Sequence, residues 1–281
     1  MRRAIILVLD GVGAGEAPDA SAYGDKGSNT LAHVARAVGG FNLPALEGHG
    51  LGNALELDGM SPNPEPAGAW GKMQPASAGK DSTTGHWEIA GVHLEKPFPT
   101  YPKGFPEELV REFERLTGRG VLGNVVASGT QVLDEFGAEQ MSTGKWILYT
   151  SADSVFQIAA HENVVPLEEL YRACETARGM LVPPNDVSRV IARPFEGQPG
   201  EFKRTANRRD YSIEPPSETL LDALAKERIG RSGVGKVDDL FAGRSIESRH
   251  TASNAEGIDF IRQWLDGPKS GLLFANLVDF D

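Results

Sequence analysis

Residues 4–9, Ala-Ile-Ile-Leu-Val-Leu, form an unbroken apolar run rich in branched side chains, and it stops at Asp10-Gly11-Val12-Gly13. A run that is short, continuous rather than alternating, and closed by a turn predicts a strand buried on both faces of a parallel sheet, because crossover helices cover both faces of such sheets. In open α/β sheets ligands gather beyond the carboxyl ends of the strands, so Asp10 stands where a site is expected. Asp-Gly is also a common turn pair, and on this segment alone both readings of Asp10 stay open.

Residues 272–278 have the same buried-strand character. Between the two runs, residues 28–38 predict a helix capped by Ser28 or Asn29, with Leu31, Val34 and Ala35 along one face. Residues 39–79, rich in Gly and Pro, predict loops and short turns. Residues 106–116 predict an amphipathic helix that opens with Pro106 and carries Leu109, Val110, Phe113 and Leu116. Residues 146–150 and 187–192 are β-type runs with a helix, 166–181, between them, and Ser217 is placed to cap a helix bearing Leu220, Leu221 and Leu224. Residues 258–265 predict one more short helix. That order implies an α/β protein of two domains, with an α+β or α/β unit at roughly residues 94–216.

The formal charge of −11 gives a field that repels nucleic-acid phosphates and anionic membranes, so neither is expected as a partner. A small phosphate ester is compatible with it, since a few cations or a metal reverse the field within one cleft. Cys174 is the only cysteine, which excludes an internal disulfide and suits a reducing cytoplasm. It recurs with Leu167, Leu170, Tyr171 and Leu181 at helical spacing and reads as a core residue. Met1-Arg2-Arg3 has the charge of a signal peptide without its cleavage site, and no apolar run nears the length of a membrane span. The expectation is a cytoplasmic monomer.

Lys80-Asp81-Ser82-Thr83-Thr84-Gly85-His86-Trp87-Glu88 sets three hydroxyls between an acidic residue and a Gly-His pair. The pattern by itself favours a helix N-cap in which a Ser or Thr oxygen accepts from a backbone amide. The chemical alternative is a nucleophile: a hydroxyl attacks phosphorus well once its proton is removed or a divalent ion holds it, and carboxylates are the hard ligands that Mg²⁺ or Mn²⁺ prefers. Asp10, Asp279 and Asp281 are the available carboxylates, the last two sharing one side if their strand continues.

These segments resemble the phosphopentomutases of the alkaline phosphatase superfamily. The resemblance runs through residues 9–20 (Leu-Asp-Gly-Val-Gly-Ala-Gly-Glu-Ala-Pro-Asp-Ala), the hydroxyl segment from Gly79 to Glu88, Tyr149-Thr150-Ser151-Ala152-Asp153-Ser154 and Gln157-Ile158-Ala159-Ala160-His161-Glu162. It continues through Arg189-Val190-Ile191-Ala192-Arg193-Pro194-Phe195, Asn207-Arg208-Arg209-Asp210-Tyr211 and Asn276-Leu277-Val278-Asp279-Phe280-Asp281. It implies an alkaline-phosphatase-like core, with a mainly parallel sheet between helices, formed by residues 1–93 and 217–281. A smaller inserted α+β cap at 94–216 closes over the sugar phosphate.

By that resemblance Ser82 is the nucleophile, where the family usually has Thr, with Thr83 as the fallback. Asp10 and Ser82 are ligands of one metal ion and Asp281 of a second, while Asp279 is structural. Asp153, Arg189, Ile191 and Lys236 meet the substrate; Arg189 in its strand-like run could alternatively form a structural ion pair. Mn²⁺ is the implied ion, two per complete site, and a sugar bisphosphate such as glucose 1,6-bisphosphate the implied primer. Further His and Asp ligands are expected beyond Asp281, and none of the six histidines lies there, so the chain is expected to be C-terminally truncated.

The implied reaction interconverts ribose 1-phosphate and ribose 5-phosphate, and their deoxy analogues, through a phosphorylated Ser82. A metal-dependent phosphomonoesterase or a mutase of another substrate such as phosphoglycerate is the enzymatic alternative. A non-catalytic sugar-phosphate-binding module is the alternative of another class.

Overall fold

A computed structural model describes every residue except Met1, Ala152, Lys269 and Asp281. In chain order the strands are β1 Arg3–Leu9, β2 Val121–Val126, β3 Trp146–Thr150, β4 Val155–His161, β5 Arg189–Glu196, β6 Lys203–Arg204, β7 Arg209–Ser212, β8 Arg231–Val234, β9 Ser248–Arg249 and β10 Gly271–Leu277. The helices are α1 Thr30–Ala37, α2 Pro44–Gly48, α3 Leu51–Ala54, α4 Ser82–Ile89, α5 Glu107–Thr117, α6 Gly129–Thr143, α7 Leu167–Met180, α8 Leu220–Lys226, α9 Val237–Leu240 and α10 Asn254–Asp266. None is long and apolar enough to cross a membrane among the described residues.

The chain divides into two compact units. The first comprises the residues up to Ala76, Ser232–Gly235 and those from Ser248 onward; the second comprises Ser77–Arg231 and Lys236–Glu247.

In the first unit the sheet order is β1-β10-β8-β9, with β1/β10 and β8/β9 parallel. Beside it, α10 packs Ile261 and Trp264 on Val234, Leu273 and Ala275. Of the two runs predicted to be buried strands, β10 is buried, with Leu272 to Leu277 all enclosed, and β1 is not. Ile5, Leu7 and Leu9, alternate residues on one face of β1, are exposed, so that face is left largely uncovered among the described residues. Residues 39–79 do contain two short helices, α2 and α3, the first started by Pro44, whose missing N–H is no loss in a first helical turn. Asn29 caps α1 by accepting from Ala32 N at 3.2 Å.

In the second unit a mixed sheet runs β2-β3-β4-β5-β6, with β7 also on β5. Strands β3 and β4 bury every residue, which requires cover on both faces. One face packs Trp146, Leu148, Phe156, Ile158, Val190 and Ala192 on Phe113 of α5 and on Leu170, Ala173, Cys174 and Ala177 of α7. Phe113 meets Phe156 edge-on at 5.3 Å, and each such buried ring stabilises by roughly 1.5–3 kcal/mol. Cys174 is fully buried, as its helical spacing predicts, and burial pushes its thiol well above the usual value. On the other face α6 brings Val132 and Leu133 against Leu122, Ile147, Tyr149 and Ala159. Ser217 does not cap α8: Thr219 does, in a reciprocal box with Asp222.

Candidate active site

Helix α4 carries the hydroxyl run, and its cap is a carboxylate. Asp81 is extended, accepts from Thr84 N at 3.0 Å through Oδ1, and accepts from Thr84 Oγ1 at 2.7 Å through Oδ2. The expected Ser or Thr cap is therefore replaced by Asp81, whose two oxygens reach amide and hydroxyl at once.

The three hydroxyls then have different fates. Thr84 is spent on the cap, Thr83 is fully buried with its Oγ1 lacking a hydrogen-bond partner, and Ser82 alone is partly open to solvent. The rest of the helix is tied down within its own unit. His86 donates from Nδ1 to the Ser82 carbonyl at 2.7 Å, Trp87 donates to Leu240 O at 2.8 Å, and Glu88 accepts from Ser77 N at 2.7 Å. A helix N-terminus with its free amides also favours added negative charge, as a phosphorylated serine there would bring.

A second polar region lies on the six-stranded sheet. Register places Tyr149, Gln157, Ile191 and Asp210 in one row on the same face, and strand alternation puts Arg189 and Arg193 on that face to either side of Ile191. Arg189 Nη1 donates to Asp210 Oδ2 at 3.3 Å, so the ion-pair alternative for Arg189 is realised. Arg208 holds the same carboxylate bidentately, with both bonds at 2.7 Å. Burial pushes the Asp210 carboxyl up, but the bonds and charges of Arg208, Arg189 and Arg193 outweigh it and hold the pKa below the ordinary value.

Asp153 lies in the turn from β3 to β4, next to Ser154, whose carbonyl accepts from Arg189 N at 3.4 Å. Lys236 directly precedes α9, which packs against β7. Asp153 thus lies beside the start of β5, on which Arg189 and Ile191 share one face.

In the other unit Asp10 continues the β1/β10 ladder, donating from N to Leu277 O at 2.9 Å, and its side chain is buried. Buried Asn276 donates from Nδ2 to Asp10 Oδ2 at 3.1 Å, which orients the carboxylate. A buried, oriented carboxylate is a hard oxygen donor of the kind Mn²⁺ or Mg²⁺ takes, so Asp10 fits the implied metal. Strand β10 ends before Asp279, which exchanges bonds with Asn254 at 3.1 Å in each direction. Asp281, the implied second-ion ligand, lies outside the described residues.

Pattern reading alone did not single out Asn276, Gln157, Arg193 or Asp210. The signal for Asp210 was the charge-dense Asn207-Arg208-Arg209-Asp210-Tyr211; nothing local marks Asn276.

The fold, a mainly parallel sheet among helices with a buried aspartate closing its first strand, is that of an α/β protein with an alkaline-phosphatase-like core. The chain is 57% identical to a phosphopentomutase of Caldanaerobacter subterraneus subsp. tengcongensis, and 56% identical to those of Dictyoglomus turgidum and Carboxydothermus hydrogenoformans. Each alignment covers 100% of this chain and 72–73% of the relative, and the chain belongs to the phosphopentomutase family. No protein-family model matches it.

Proposed function

We propose that this chain interconverts ribose 1-phosphate and ribose 5-phosphate, and the deoxyribose analogues, with Ser82 as the residue that carries the phosphoryl group. The phosphopentomutase assignment rests on the identity over the whole chain. The observation that supports Ser82 is the division of exposure at the start of α4: of three consecutive hydroxyls, it is the one both reachable and unspent on the cap.

Phosphorylated Ser82 gives its phosphoryl group to the free hydroxyl of the pentose phosphate, making a bisphosphate; the other phosphate then returns to Ser82. Arg189 and Lys236 hold the phosphate that is not being transferred, Asp153 accepts from the sugar hydroxyls, and Ile191 supplies an apolar wall. Asp10 and Ser82 are metal ligands, as is Asp281. Mn²⁺, when bound, supplies neutralisation of charge on the transferring group. A sugar bisphosphate such as glucose 1,6-bisphosphate primes Ser82, residues 94–216 act as a cap that keeps water from the phosphoenzyme, and the protein works as a cytoplasmic monomer.

The test supplies ribose 1-phosphate, Mn²⁺ and glucose 1,6-bisphosphate, and follows ribose 5-phosphate and free phosphate in one tube. Isomer formed without free phosphate is the expected result; predominant phosphate release would make the protein a phosphomonoesterase.

A further inference from the structure

Among the described residues, strand β7 pairs with β5 alone, so its other edge is open. Ile213 N donates to Ser188 O at 3.0 Å, and antiparallel alternation then turns the main-chain groups of Arg209 and Tyr211 toward β5 and those of Asp210 and Ser212 away from it. No partner meets these outward amides and carbonyls among the described residues. The Ser212 side chain repeats the pattern: Ser212 is 8% exposed, and its hydroxyl has no hydrogen-bond partner. Enclosed main-chain and hydroxyl groups are costly to leave unpaired, so this edge is built to receive hydrogen bonds from something else.

A crevice of about 280 Å³ opens against that edge, lined by residues of the second unit alone. Asp210 and Ser212 form one side, and Arg178 of α7, Asp238 and Asp239 of α9 and the following Gly243 form the others. A Cβ added at Gly243 would meet no atom within 4 Å, so the space is open on the side of that turn. The walls are fixed: Arg178 donates to Val187 O at 2.7 Å and to Leu181 O at 2.8 Å, and Gly243 N donates to Asp238 O at 2.8 Å. Asp238 and Asp239 make the α9 wall acidic and disfavour a phosphate or carboxylate, while both outer nitrogens of Arg178 are already spent on carbonyls. The Asp210 carbonyl and the Ser212 N–H point the same way from either side of Tyr211, an acceptor beside a donor. That pair matches the planar edge of an amide or lactam, whose N–H and C=O are neighbours.

We propose that the open edge of β7 is a binding site for an uncharged molecule carrying an amide or lactam edge. The Asp210 carbonyl accepts from its N–H, and the Ser212 N–H and hydroxyl donate to its C=O. The site uses the main chain of Asp210, not the carboxylate that meets Arg189 on the sheet face, and it does not rest on the mutase reading.

The test is calorimetric titration of the 281-residue chain with uracil, a small uncharged lactam, and with 1,3-dimethyluracil, which keeps both carbonyls but has no N–H. Saturable uracil binding is expected, with the dimethyl compound weaker by about tenfold or more for its missing donors and added bulk. Ser212→Pro removes the outward N–H and is expected to weaken uracil binding by about tenfold, and Ser212→Ala, which removes only the hydroxyl, by about threefold. Excess ribose 5-phosphate is expected to leave uracil bound. Should Ser212→Pro fail to fold, Ser212→Ala and the methylated compound carry the comparison. Absence of saturable uracil binding by the parent chain, or equal binding of 1,3-dimethyluracil, overturns the proposal. Parent-like binding by the Ser212 variants overturns it too, as does displacement of uracil by ribose 5-phosphate, which would put uracil on the Arg189 face instead.

Discussion

Arg189 and Asp210 belong to adjacent antiparallel strands and meet through a 3.3 Å bond on the face of the sheet, with the Arg189 side chain 11% and the Asp210 side chain 5% exposed. The bond aims one edge of the guanidinium and leaves other donors for a ligand. Asp210→Asn removes the charge that aims it. The Michaelis constant for ribose 5-phosphate is expected to rise about tenfold, with turnover changed much less, as for a lost ground-state binding contact. Steady-state kinetics decide it, and an unchanged Michaelis constant would detach Asp210 from substrate binding.

Ser82→Ala is expected to abolish phosphoryl transfer, while Thr83→Val keeps it. Thr83 Oγ1 is buried without a partner, so replacing the hydroxyl by a methyl of similar shape should leave stability unchanged or raise it by about 1 kcal/mol. Phosphoenzyme trapping and thermal unfolding read the two effects. A phosphoenzyme that persists in Ser82→Ala would move the nucleophile to another hydroxyl.

Asn276 orients the Asp10 carboxylate, and residues that orient a ligand typically matter about 10–100-fold to metal affinity. Asn276→Ala is therefore expected to weaken Mn²⁺ binding by that order, measured by titrating metal-free protein. Equal affinity in the variant would mean that Asp10 is not a ligand or needs no orientation.

Asp222 supports the start of α8. Its Oδ2 accepts from Thr219 N at 2.8 Å, and its Oδ1 accepts from Ser245 Oγ at 2.7 Å and Arg244 Nε at 3.0 Å. Burial raises its pKa, and these donors more than reverse that, bringing it down to about 2. A folded pKa below the unfolded value of about 3.9 means that the stabilisation is complete above that pH and is lost as pH falls towards 2. Asp222→Asn should flatten this acid limb between about pH 4 and pH 2, and lower stability at neutral pH by about 1–2 kcal/mol. Denaturant titrations across that range check it; an unaltered acid limb would assign the acid sensitivity elsewhere.

Helices α1, α5 and α7 and strands β3, β5 and β10 were legible because each carries a local signal: a cap, an amphipathic stripe or a short apolar run. Strands β2 and β4 and helix α6 were not. Residues 121–126 include Gly123 and Asn124, β4 carries Gln157 and His161 inside a buried run, and α6 contains Gly129 and Gly137, so composition points away from structure that neighbouring layers enforce. Asp10 and the hydroxyl segment stood out at once, as turn-bounded polar groups beside apolar runs.

The carboxylate after the first strand and the three hydroxyls that open α4 were legible in the sequence alone, since spacing and residue type act over a few neighbours. Which hydroxyl is available was decided by tertiary structure, because Asp81 takes Thr84 and packing encloses Thr83. The meeting of Arg189 with Asp210 was decided by tertiary structure, because the antiparallel β5–β7 pairing brings together residues 21 positions apart in the chain. Burial was expected of both β1 and β10 and is found in β10 alone, because an apolar strand is buried by its neighbours, and its own residues do not specify them.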